Sequence, residues 1–327
     1  MSGAAWAQPA SALPSASEVA TRDAQAWLTR IQEAPGRRSF QGTFVVTAGG
    51  AVSSARIVHY QVGASQYERI ESLDGQSRQV FRHNDLIHTL WPQSRVAMVE
   101  QREKLGAFPT LLQSGDGRVV DHYEVRLVGL DRVAGHEAHV ISLQPRDGFR
   151  FGYQLWADKD SGLLLRADVL GGNGDRLESS AFSEVTIGVR PQREALLQAM
   201  NKLDGYRVMR PALTATQLEQ EGWSERQPVP GFRKVSCIKR PLNANGETEP
   251  ADGTPQVLQT IYSDGLTYVS VFIEPYSPAR HTRPMLTSIG ATHTLMVRRG
   301  DWWFTAVGDV PPLALRAFVK GIERNTR

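Results

Sequence analysis

The chain has one cysteine, six lysines and no apolar run long enough to cross a bilayer, and each shortage excludes something. A single thiol, Cys237, cannot close an intramolecular disulfide. It sits in Val235-Ser236-Cys237-Ile238 without a neighbouring histidine and reads as a small buried hydrophobe, not a nucleophile. A spanning helix needs about 20 consecutive apolar residues, and no stretch approaches that. Basic charge rests on 31 arginines spread along the whole chain with acids between them, and the formal net charge is only +3. That dispersal argues against a nucleic-acid surface, which would cluster its cations. Two readings of the arginine excess stand: a compositional bias of the genome, or contact with phosphates and carboxylates that the guanidinium fork grips in bidentate fashion.

Groups placed for catalysis are scarce as well. His136 and His139, three apart on a turn-to-strand segment, point to opposite faces and could not share one ion. Asp158-x-Asp160-x-Gly162 opens like an EF-hand loop, but the twelfth position is Val169 and the flanks are strands. An Asp–Gly turn accounts for it better. Gly171-Gly172-Asn173-Gly174 follows a strand without leading into the helix that a phosphate cradle requires. No G-x-S-x-G elbow occurs. The expectation is a protein that is not an enzyme, with no catalytic residue, no metal and no cofactor. A hydrolase ranks third among the options.

What is present is an Ala/Ser/Pro-rich leader, one amphipathic helix and a long series of strands. Ala4-Ala5-Trp6-Ala7-Gln8 has the small-x-small shape of a signal-peptidase site, with cleavage after Ala7, so residues 1–16 are expected to be a disordered leader or signal-peptide remnant and the chain to be exported. Ser15 and Glu18 form a capping box, Ala20, Ala24, Trp27, Leu28 and Ile31 recur at helical spacing, and Pro35-Gly36 ends the helix. Short alternating strands with tight turns run from Phe40 to Val99 and again from Tyr123 to Ile187, around a short helix at Phe108–Leu112. They make a mostly β fold with flanking helices: a large curved antiparallel sheet or half-barrel, plugged by the Trp27 helix.

A short helix at Glu194–Leu203 closes this unit, expected over 17–203. A linker (204–213) leads to a smaller α+β unit (214–327) with strands at Phe232–Ile238, Thr294–Arg298 and Trp302–Val307 and a polar loop at Asn243–Pro255. Val257–Ser263, Asp264-Gly265 and Leu266–Ile273 read as a D-G hairpin, and Asp309 caps a last helix carrying Pro311-Pro312 in its first turn.

By strand parity Trp27, Phe40, Phe44, Tyr60, Trp91, Phe151 and Tyr153 are the candidate ligand-binding residues, lining a pocket for a lipid. Transfer of acyl carbons is worth about 0.8 kcal/mol per CH₂, so half a fatty acid would bind usefully. The alternative, a dry core packed on the helix, stands beside it.

Several segments carry a family likeness. Arg146-Asp147-Gly148-x-Arg150-x-x-Tyr153-x-x-Trp156-x-Asp158 leads to Leu165-Arg166-x-Asp168-x-Leu170 and Gly174-x-x-Leu177-Glu178. Pro230-Gly231-Phe232, Arg240-Pro241-Leu242, Tyr262-Ser263-Asp264-Gly265-Leu266 and Gly308-x-x-Pro311-Pro312 follow in order. In that order, from about Ala16 to Ile322, the chain resembles the RseB/MucB family of sigma-E factor regulators. The resemblance implies a LolA/LolB-like first domain, a smaller partner-binding second domain and a location in the periplasm. It also implies that the chain binds the periplasmic part of an RseA/MucA-type anti-sigma factor and shields it from proteolysis. Lipopolysaccharide or another acyl-chain ligand would relieve that block. A homodimer is left open, no nucleic-acid partner is expected, and a LolA/LolB-like lipoprotein or lipid carrier is the alternative.

Overall fold

The computed structural model describes residues 16–101, 108–109, 111–112, 119–241, 256–281 and 283–325. The expected leader, apart from Ala16, and the polar loop at 243–255 lie outside the described residues.

Alternating side chains and turn glycines fold twelve strands between Phe40 and Met209 into one sheet. Its described strands are β1 (Phe40–Ala48), β2 (Ala51–Val62), β3 (Ser65–Ser72), β4 (Gln79–His83), β5 (Leu86–Trp91), β6 (Val96–Gln101), β7 (Tyr123–Val133), β8 (His136–Pro145), β9 (Gly152–Asp158), β10 (Leu164–Leu170), β11 (Arg176–Ile187) and β12 (Arg207–Met209). The pairing order is β12-β6-β5-β4-β3-β2-β1-β11-β10-β9-β8-β7. Only the β12–β6 pair is parallel. The sheet curls: His136 on β8 reaches the Val185 carbonyl on β11 at 3.3 Å, although β9 and β10 lie between them in the order. Bulges in β1–β11, β9–β10 and β7–β8 accommodate the bend.

Helix α1 (Ala16–Arg37) buries Ala24, Trp27, Leu28 and Ile31 along one face. Trp27 lies 4.2 Å from the His139 ring, and Arg30 Nη2 donates to the carbonyls of Lys159 and Asp160 at 3.1 Å each, pinning the helix to the β9–β10 turn. The helix runs one residue past the Pro35-Gly36 stop. His59 engages the Pro35 carbonyl at 2.8 Å, giving the last turn an outside partner. The Asp158–Gly162 segment is a turn: Asp158 Oδ2 accepts from the Ser161 backbone and hydroxyl, and Gly162 takes a φ of +77°.

A second sheet runs β13 (Thr214–Ala215), β15 (Arg233–Pro241), β16 (Gln256–Ser263), β17 (Tyr268–Pro275), β20 (Trp302–Gly308), β19 (Thr292–Arg299), β18 (Met285–Ile289). Beside it β14 (Trp223–Glu225) pairs with β21 (Ile322–Arg324). The remaining helices are α2 (Val119–His122), α3 (Arg193–Asn201) and α4 (Pro312–Gly321). Helix α4 lays Leu315, Phe318 and Val319 in a core with Tyr262, Val269, Val271 and Phe304, which covers one face of this sheet. By alternation Ser236, Ile238, Ile261 and Phe272 point to the other.

Four sequence expectations are corrected. Phe108–Leu112 is not helical at its described residues; Pro109 lacks the amide and restrains its predecessor. The connector at 204–213 carries β12, which adds onto the first sheet. Asp309 does not cap α4, whose N-cap is Pro311; it accepts instead from Thr292 Oγ1 at 2.5 Å. The connection between β16 and β17 is four residues, not two, because Asp264 Oδ1 folds back onto the amides of Leu266 and Thr267. Its other oxygen is occupied across the molecule.

Candidate functional site

That other oxygen meets Arg150, which the turn before β9 delivers into the seam between the two sheets. Arg150 is fully buried. Its Nε donates to Asp264 Oδ2 at 2.8 Å, its Nη2 to the Pro230 carbonyl at 2.6 Å, and its Nη1 to Asp147, while the guanidinium lies 4.6 Å from the Phe232 ring. Tyr123 Oη donates to the same Asp264 oxygen at 3.4 Å. Burial, and then the Asp264 charge, push the Tyr123 hydroxyl well above its usual range, so it remains a donor. Gly231 holds a φ of +77° where a Cβ would collide with Arg150 and His122, so the close approach requires glycine. Around this network Leu266 and Ala291 of the second unit join the core of α1, Tyr123, Phe151 and Tyr153. The result is a buried ionic latch set in apolar surroundings.

Glu178 on β11 stands at the same seam. Burial raises its pKa, the Asp309 carboxylate raises it further, and the Ala291 amide pulls the other way. The folded state therefore holds this proton to higher pH than the unfolded chain does. Stability from this group is complete below the ordinary glutamate pKa of about 4.3 and is lost as pH rises through the higher folded value. Glu178→Gln is accordingly expected to raise the melting temperature at pH 7.5 by about 1–2 °C and to leave it unchanged near pH 4. Calorimetry at both pH values checks this; an equal gain at both would contradict the assignment.

Beyond the latch, the helix-free face of the second sheet opposes the far edge of the first. Between them lies a cleft of about 400 Å³. Ile238 and Ile261 form its floor with Ser236 and Gln259, Leu213 comes from the connector and Ala215 from β13, and Arg240 stands on the same wall, 5.1 Å from the Phe272 ring. Asp85, Glu100 and Gln101 supply the opposite wall from the β4–β5 turn and the end of β6. Strand β13 is only two residues long, so it pairs with Lys239 and Ile238 alone among the described residues of β15. An apolar floor, one wall carrying two acids, an arginine and a sheet edge together suit an extended peptide.

The seven candidate lipid-lining residues do not converge on one place. Trp27, Phe151 and Tyr153 share the α1 core; Phe40 and Phe44 pack round Phe182; Tyr60 belongs with Tyr67, Phe81 and α3. Trp91 is half-buried and joins none of these. Sequence reasoning gave no role to Arg150, Asp264, Ile238 or Ile261. The first two stand in charged, glycine-marked turns beside aromatic strands, the one signal that could have singled them out. Cys237 is buried with its thiol pushed up to about 11 by that burial, which suits a packed side chain. Among the described residues no helix is long and apolar enough to cross a membrane.

The model of the MucB/RseB N-terminal domain matches residues 23–200, and that of the MucB/RseB C-terminal domain matches 217–323. The sigma factor AlgU regulatory protein MucB of Pseudomonas aeruginosa is 30% identical over 293 residues, 88% of this chain and 87% of its own. The sigma-E factor regulatory protein RseB of Escherichia coli K12 is 25% identical over 315 residues, covering 96% and 94%. A solved Pseudomonas aeruginosa MucA/MucB complex superposes with a TM-score of 0.71 at 27% identity, covering 93% of this chain and 100% of that one. Both halves of the chain are thus matched, in relatives aligned over most of their own length, and the chain belongs to the MucB/RseB family.

Proposed function

We propose that this protein is a periplasmic negative regulator of the sigma-E envelope stress response, a binding protein and not an enzyme. It holds the periplasmic part of a MucA/RseA-type anti-sigma factor in the interdomain cleft and keeps it from being cut. The observation that carries this reading is the cleft itself: an apolar floor at Ile238 and Ile261 with unlike charges about it and an adjoining sheet edge. Membership of a family whose members are named as sigma factor regulators, one of them solved with MucA, supports the choice of partner.

Lipid acts as the antagonist. A lipid can weaken the complex only if it favours a conformation that binds the peptide less well. The α1 core round Trp27, Phe151 and Tyr153 is the place for an acyl chain, because Leu266 and Ala291 tie that core to the second domain. An acyl chain that spread it would load the Arg150–Asp264 latch. The test is cleavage of the anti-sigma fragment by its stress protease, with this protein and with lipopolysaccharide added in turn. Slowed cleavage that lipopolysaccharide restores is the expected result. Cleavage at one rate throughout would refute the reading, and restoration by detergent monomers alone would remove lipopolysaccharide from it.

A further inference from the structure

Two unlike charges overlook the cleft, and the fold gives neither of them an ionic partner. Asp85 stands on the first domain's wall, exposed in the tight turn between β4 and β5. Its neighbour Asn84 takes a φ of +52°, and Asn84 Oδ1 accepts the Gln66 amide at 3.0 Å, so the turn that presents Asp85 is held in place. Arg240 stands on the second domain's wall, exposed near the end of β15 with its guanidinium 5.1 Å from the Phe272 ring. By alternation it shares a face with Ser236 and Ile238, whereas the adjacent Lys239 points away and is tied to Glu221 at 3.1 Å. Among the described residues neither Asp85 nor Arg240 takes part in an ion pair, and they do not pair with each other.

Exposed charges are ordinarily left to water. These two line the same cleft as Ile238 and Ile261, so a peptide seated on that apolar floor comes to lie against both. An uncharged or like-charged segment would strip water from each of them without replacing it, which costs affinity. A basic side chain beside Asp85 and an acidic one beside Arg240 replace that water with ion pairs. The guanidinium fork can take a carboxylate in bidentate fashion.

Given the cleft as the peptide site, on which this rests, we infer that Asp85 and Arg240 are its specificity-determining residues. Asp85 reads a basic side chain of the seated peptide, and Arg240 reads an acidic one. Because the two charges differ in sign and come from different domains, they fix the direction in which the peptide lies and reject its reverse.

Calorimetric titration of the full chain with the anti-sigma fragment tests this by charge exchange. Asp85→Lys and Arg240→Glu are each expected to weaken the fragment about tenfold or more, with melting temperatures close to the parent's because both side chains are exposed. Each Lys and Arg of the fragment is then replaced by Glu, and each Asp and Glu by Lys, one at a time. One basic position is expected to lose about tenfold against the parent protein when replaced, and to regain at least about tenfold against Asp85→Lys. One acidic position should behave in the same way with Arg240→Glu. Recovery at no position would overturn the assignment, and so would binding of the fragment by both variants within about twofold of the parent. Ile238→Asp, titrated beside them, separates this failure from that of the cleft. Binding lost in Ile238→Asp but undiminished in the two charge variants would leave the peptide in the cleft and overturn the charge reading alone. Full binding by all three variants would overturn both.

Discussion

Arg150→Met is expected to destabilise the protein by about 3–5 kcal/mol, more than truncation of any exposed charge, and to loosen the two domains from one another. Desolvation is the reason. The guanidinium and the Asp264 carboxylate both have side chains with no exposure, and each is the other's compensation. Removing the cation leaves a buried carboxylate that still accepts the Tyr123 hydroxyl and the Leu266 and Thr267 amides but has lost its counter-charge. Asp264→Asn keeps the amide contacts and strands the arginine, so it too is destabilising, by a smaller amount because Asp147 and the Pro230 carbonyl remain. Combining the two should recover more than half of the summed loss, the signature of a pair that costs most when broken on one side. Urea unfolding gives the energies and small-angle scattering the looser shape. Single losses below about 1 kcal/mol that simply add in the double variant would show that the latch does not hold the seam.

That network marks the limit of what the sequence discloses. Alternation at Phe149–Trp156 and Leu163–Leu170, with turn residues between, disclosed strands, since side-chain period and glycine turns are local properties. The amphipathic stripe through Trp27 disclosed α1 in the same way. Which strands meet across a curled sheet is not local. Parity assigns Phe40, Tyr60 and Tyr153 to buried faces, yet the curl sends them to three different cores. Arg150 reads as an ordinary turn charge until the chain brings in Asp264, 114 residues away. The same Asp264 explains the hairpin that the D-G signal misjudged: a carboxylate occupied on both oxygens reshapes its own turn. The family resemblance spanned both domains because the order of motifs survives where contact geometry is invisible. It pointed to an interdomain cleft but to none of its lining residues, since Ile238 and Ile261 look like any strand residues until the α4 core is seen to cover the opposite face of their sheet.

The cleft makes the second large prediction. Ile238→Asp is expected to weaken binding of the anti-sigma fragment by about 30-fold to 1,000-fold, the range for a central contact residue, and to abolish protection from the protease. Ile238 is half-buried and faces away from the α4 core, so the substitution leaves that core intact and the fold should stay within about 1 kcal/mol of the parent. The introduced carboxylate would stand on the apolar floor opposite Asp85 and Glu100, where a docking peptide would have to desolvate it. Ile238→Val, which shortens the side chain by one methylene, should cost binding less than about tenfold. Calorimetric titration with the fragment, paired with thermal melts, separates lost contact from lost fold. Undiminished binding by a folded Ile238→Asp protein would move the peptide out of this cleft. The partner would then have to seat elsewhere, and the 400 Å³ between the sheets would be left without an occupant.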